Sequence, residues 1–174
     1  MTPDHARRLA RYNAWANKRL YAACALLPEN AYYQDRGAYF GSLHGTLNHI
    51  LVGDRAWMGR LTKTDPHLKS LDQILYDTFM ALRAARQAED EAIVAYTETL
   101  KPADMRRVVR YRAMAGTPHE DPVGLILAHM FNHGTHHRGQ AHGLLSQVPM
   151  EPPALDLIFF VREEEKAAAL EQGD

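Results

Sequence analysis

Residues 123–147 read VGLILAHMFNHGTHHRGQAHGLLSQ, and this stretch decides both the class of fold and where its chemistry lies. It contains no proline, and its apolar residues recur at three- and four-residue steps, the period of an amphipathic helix. Projected at about 100° per residue, Val123, Ile126, Met130, Ala141 and Leu144 form one stripe, with His133 and His137 inside it. His129 and His136 fall at its edges and His142 on the outside. Imidazoles at i and i+4 have Cβ atoms about 6 Å apart, so two on a buried face can converge on one ion. The competing reading is a pair of core histidines, each hydrogen-bonded to a neighbour. Gln140 shares the stripe and is a candidate to orient an imidazole or a substrate. Arg138 projects away and reads as a surface or subunit-contact residue.

Three further segments carry the helical period. In the first, about residues 4–27, Leu9, Tyr12, Ala16 and Leu20 share a face; Thr2 caps it, Pro3 takes the first helical position and Pro28 sets its end. In the second, about 42–62, Ser42 is the cap. Ser70 and Gln73 have capping-box spacing and open a third, about 71–100, closed by Pro102. Between Met105 and Ala115 the period becomes two, a strand with a turn at Ala115-Gly116, and the arginines 106, 107, 110 and 112 fit its solvated face. Asp121 and Pro122 then cap the fourth helix, and Leu155 to Val161 begins a short terminal one. Helices of 20–30 residues at about 1.5 Å per residue are roughly 30–45 Å long. The expectation is an all-α four-helix bundle with a short β-hairpin-like insertion before the fourth helix and a short C-terminal helix, in one domain over residues 1–174.

Composition agrees and excludes much. A chain of 174 residues, 46% hydrophobic and 24% charged, is one domain's worth, able to bury on the order of 70% of its unfolded surface. A net charge of −1 speaks against nucleic acid or anionic lipid as partner. Neither a secretory leader nor a membrane-spanning run is expected, so the expected location is cytoplasmic. The single Cys24 reads as a buried apolar residue. Histidine is the anomaly: 10 in the chain, five of them between positions 129 and 142.

A third ligand would come from the second helix, where periodicity does not choose between His44 and His49. The same projection puts Asp54 in the apolar stripe, as a ligand, an ion-pair member or a partner that orients a ligand. Trp15, Tyr12 and Trp57 are candidates to line a cavity, although aromatics at helical spacing are usually core.

The run Phe131-Asn132-His133-Gly134-Thr135-His136-His137-Arg138-Gly139-Gln140, with Gly41 to Leu51, Asp54-Arg55-Ala56-Trp57 and Tyr12 to Asn17, resembles the DinB/YfiT-like family over nearly the whole chain. The resemblance implies a bundle with a crossover connection that holds one divalent metal through His49, His133 and His137, and a homodimer. Zinc is the first expectation, with nickel, iron and manganese compatible with imidazole ligands. Three imidazoles leave an open position, as in catalytic sites. No H-E-x-x-H is present, so a protease-style glutamate base is absent. Characterised relatives include transferases that use a low-molecular-weight thiol. The resulting expectation is a metal-dependent enzyme on small molecules, thiol S-transferase-like or hydrolase-like, with catalytic residues and substrate unassigned. The alternative is a non-catalytic, stress-associated protein with a structural metal.

Overall fold

The hydroxyl of Thr2 accepts a hydrogen bond from the His5 amide at 3.2 Å and starts helix α1, Pro3–Cys24, where the sequence predicts it. The computed structural model describes residues 1–171. A short α2 (Glu29–Tyr33) follows, then α3 (Leu43–Thr62), α4 (Phe79–Glu98), a hairpin of β1 (Val108–Arg112) and β2 (Pro118–Pro122), α5 (Val123–Leu145) and α6 (Leu157–Glu171). Ser42 caps α3 as expected, through the Gly45 amide.

The core clusters give each helix its direction. At one end the C-terminal Leu20 of α1 and Leu144 of α5 meet Leu43 and Leu82 from the starts of α3 and α4. At the other, Ala6 and Ile126 meet Leu61 and Ile93. Thus α1 and α5 run one way and α3 and α4 the other. Contacts close a ring in the order α1, α4, α3, α5. Because α3 and α4 are parallel, the chain must travel back along the bundle between them.

That return corrects the third predicted helix. It begins at Phe79 instead of residue 71, capped by Thr78 through the Ala81 amide. The 20 residues of α3 span about 30 Å, and a helix from residue 71 would leave only residues 63–70 to cover that, a connection that would have to be fully extended at about 30 Å with no slack for the turn at either end. Residues 63–78 form the crossover instead. Its backbone amides find side-chain acceptors: Gln73 Oε1 takes those of Lys69 and Ser70, and Asn48 Oδ1 takes those of Leu75 and Tyr76. The capping-box glutamine thus closes a turn where no helix follows.

The strand forms as a hairpin, antiparallel with Val108 opposite Pro122, but it starts after a 3₁₀ turn at Asp104–Arg106 and reverses over residues 113–117, with Gly116 at φ +85°. Asp121 belongs to β2, accepts from the Tyr111 hydroxyl at 2.7 Å and does not cap α5. The Val123 amide donates to the Arg107 carbonyl instead. Helix α6 seats Phe160 on Tyr12 and Trp15, so those aromatics serve the terminal helix and not a cavity. No helix among the described residues is long and apolar enough to cross a membrane.

Between the two apolar clusters lies a buried polar layer with a contribution from each long helix. Asp54 of α3 pairs with Arg86 of α4 at 2.6 Å, Arg86 with Asp90 at 2.9 Å, and Asp90 accepts from Asn13 and Asn17 of α1. Burial raises Asp54 above the usual carboxylate range, against the pull of Arg86. Burial would discharge Arg86, and the carboxylates beside it more than reverse that. Arg138 of α5 joins the layer by donating to Asn13 and Asn17. Its 2% exposure corrects the reading of a surface or subunit contact. α5 packs against α1 as well as α3, so its buried arc is wider than the single stripe of its apolar residues.

Candidate metal centre

His133 and His137 stand one turn apart on α5, and His49 faces them from α3, its nearest packing partner. The Nε2 atom of His49 lies 3.2 Å from that of His133 and 3.1 Å from that of His137. Imidazole nitrogens held about 2.0–2.1 Å from a tetrahedral zinc ion stand about 3.3 to 3.4 Å apart. The three side chains are thus already spaced as ligands, and they form the one group of three or more histidine, cysteine or acidic side chains with such spacing among the described residues.

The hydrogen bonds behind them make the same point chemically. His49 Nδ1 is 2.7 Å from the Leu71 carbonyl, which can only accept, so this nitrogen carries the proton. His137 Nδ1 is 2.7 Å from the amide oxygen of Gln140 and carries one too. Both Nε2 atoms therefore present lone pairs to each other across 3.1 Å. Without a cation between them that approach is repulsive; with one it is coordination. His133 Nδ1 is buried without a hydrogen-bond partner, so at most one of the two short contacts of His49 can be an ordinary hydrogen bond. Burial lowers all three imidazoles below the usual histidine range, and His133 is pushed down to about 3 with help from His137 and His49. They remain neutral donors at physiological pH.

Two glycines make the convergence possible. A Cβ on Gly53 would stand 2.6 Å from Cε1 of His133, so only glycine lets that ring lie against α3. A Cβ on Gly45 would collide with the Phe40 carbonyl. Its absence lets the loop cross α3, where the Phe40 ring stacks on His49 at 3.9 Å and 19°. The signal was in the sequence: glycines stand one turn before and one turn after His49, whereas Phe40 and Asn48 flank His44.

His49 and His137 open on a cavity of about 770 Å³ whose walls include Tyr39, Phe40, Leu71, Asp72, Ile74 and His136. Apart from His136 of α5, these come from the 36–42 loop and the crossover, two segments with no period to betray them. The remaining candidates fall elsewhere. His44 bonds to Tyr32 and Asn48 and is not part of the group. His129 packs on Trp57, which is held under the hairpin by Tyr111 and Arg60. His136 sits on the cavity rim beside Gln140. Asp54 is an ion-pair member, and Gln140 orients His137. Cys24 is buried, and burial pushes its thiol up to about 12, which leaves it inert.

The sequence model of the DinB family matches residues 2–171. Protein DinB of Bacillus subtilis (strain 168) is 26% identical over 182 residues, covering 94% of this chain and 99% of the relative. The crystal structure of a DinB-like protein from Bacillus cereus superposes with a TM-score of 0.62 at 16% identity, covering 80% of this chain and 90% of the other. It bears out the helical fold.

Proposed function

The chain belongs to the DinB family, and from that premise we propose that it is a metal-dependent enzyme acting on small molecules, with His49, His133 and His137 as ligands of one divalent ion, zinc first. The observation that carries this reading is the meeting of two Nε2 lone pairs at 3.1 Å on the wall of an open cavity. When bound, a divalent ion with three imidazole ligands supplies Lewis acidity, turning a thiol or water into a nucleophile near neutral pH. The Leu71 carbonyl and Gln140 fix which nitrogen of His49 and His137 faces the centre, and Phe40 excludes water from the outer face of His49. The cavity leaves one side of the centre accessible, the arrangement of exchange and catalysis and not of a closed structural site. A thiol-dependent transferase is the favoured chemistry and a hydrolase the second. The same reading takes the protein to work in the cytoplasm as a homodimer without nucleic-acid partners, and its charge of −1 supports the last of these. The test is elemental analysis of protein purified without an affinity tag, followed by a thiol screen with electrophilic acceptors. One ion per chain and thiol-dependent turnover lost in His133→Ala support the reading. A metal whose removal melts the bundle, with no turnover of any acceptor, favours a structural role.

A further inference from the structure

The cavity wall has an unusual charge inventory for a site that would serve metabolites. Its lining contains one aspartate, Asp72, and no glutamate, lysine or arginine, although lysine and arginine number 20 in the chain. A phosphate, sulfonate or multiply carboxylated substrate would find no cationic side chain there. Opposite in character are the two aromatic residues of the 36–42 loop. The rings of Tyr39 and Phe40 stand perpendicular, 4.8 Å apart at 78°, and Tyr39 is 87% exposed on the cavity wall. Two aromatic walls and a carboxylate are the elements with which proteins bind ammonium groups, because ring faces and carboxylates both attract cations. Leu71 and Ile74, each 46% exposed, add apolar surface between the rim and the histidines.

We propose that the mouth of this cavity selects ligands that carry a positively charged ammonium head on a short apolar body, held by Tyr39, Phe40 and Asp72, with the donor end directed at the three-histidine centre. The inference rests on the reading that the centre accepts a thiol donor, and it adds a rule of charge: cationic over neutral over anionic. The Ser70 side chain and the backbone amide of Asp72 itself hold the Asp72 carboxyl below the usual range, so the negative charge is present across the physiological range.

Three two-carbon thiols of different head group decide it: thiocholine (cationic), 2-mercaptoethanol (neutral) and 2-mercaptoethanesulfonate (anionic). Each is titrated into the cobalt-loaded protein and followed by thiolate-to-metal charge-transfer absorption. The ratio of thiocholine to sulfonate affinity is compared between wild type and Asp72→Asn, so that the differing acidities of the thiols cancel. Losing the attraction for the cation and relieving the repulsion of the anion gives an expected fall of about five- to tenfold in that ratio. Tyr39→Ala weakens thiocholine about threefold and leaves 2-mercaptoethanol unchanged. An unaltered ratio in Asp72→Asn overturns the inference and leaves the thiol reading standing. Absence of a charge-transfer band with all three thiols overturns the thiol reading. The head-group rule is then read alone by titrating choline into the metal-free protein: amide shifts at Tyr39 and Asp72, lost in Asp72→Asn, support it, and their absence overturns it.

Discussion

Gly53→Ala puts a methyl group where the imidazole of His133 already lies. The new Cβ would stand 2.6 Å from Cε1 and 3.1 Å from Nδ1, whereas comfortable carbon contacts begin at about 3.5 Å. The ring or the helix must therefore give by about 1 Å. Overpacking of this size costs about 1–3 kcal/mol, offset in the metal-free protein by the 0.5–1 kcal/mol or so that alanine gains over glycine inside a helix. His133 is only half-buried, so the easier response is for its ring to swing off α3. That leaves the apo fold nearly as stable as before but pulls one of the three nitrogens out of register. Restoring it on metal binding then carries the strain, and 1–3 kcal/mol at 1.4 kcal/mol per decade is a loss of roughly 5- to 150-fold in affinity. Competition with a chromophoric zinc chelator measures this, and melting of the metal-free variants supplies the reference. Gly139→Ala on α5 is the control: it is exposed, with nothing within 4 Å of its added Cβ, so Tm rises by about 1–4 °C with affinity unchanged. Wild-type zinc affinity in Gly53→Ala would refute the claim that this glycine exists to admit His133.

Other perturbations probe the same logic. Gln140→Ala frees His137 Nδ1 and is expected to weaken metal binding about 10- to 100-fold with little change in the melting of the apo protein; an equal loss of stability would show that Gln140 holds the helix and not the ligand. His133→Ala is expected to lower the metal content below one per chain by elemental analysis, and full retention would remove His133 from the ligand set. The metal-free bundle should lose stability as the pH falls below about 6.5, because the unfolded histidines take up protons there while burial keeps His49, His133 and His137 neutral in the fold; chemical denaturation at stepped pH reads the slope, which His133→Gln should flatten. In the polar layer, Asp54→Leu alone leaves Arg86 and Arg138 facing the single carboxylate of Asp90 and is expected to cost about 3–5 kcal/mol, while Asp54→Leu with Arg86→Met restores the charge balance and recovers most of that. If the single and double variants are equally unstable, the pair is not the cause.

Legibility varied with how local each signal is. The helix faces were readable because burial of one side imprints a period, and the caps at Thr2 and Ser42 because their bonds close within three residues. The same capping logic failed at Ser70, where Gln73 closes its turn but the chain has a bundle's length to cover before α4 can begin. Arg138 was misplaced by its own helix: a projection ranks residues around one axis, and α5 has two buried flanks. His49 could have been preferred over His44 from the glycines one turn to either side of it. The Leu71 carbonyl that fixes its proton carries no side-chain signature at all.

By itself, then, the sequence determined the helical period, the hairpin, the inward pair His133 and His137, and, through resemblance, the third histidine. These follow from spacing along one chain segment, where backbone geometry sets which side chains share a face. The tertiary structure alone decided that α3 and α4 run parallel, that Asp54, Arg86, Asp90 and Arg138 neutralise one another in the core, and that a loop and a crossover complete the walls of the cavity beside the histidines. Those depend on which surfaces meet across the bundle, and no periodicity within a segment records the partner it will be buried against.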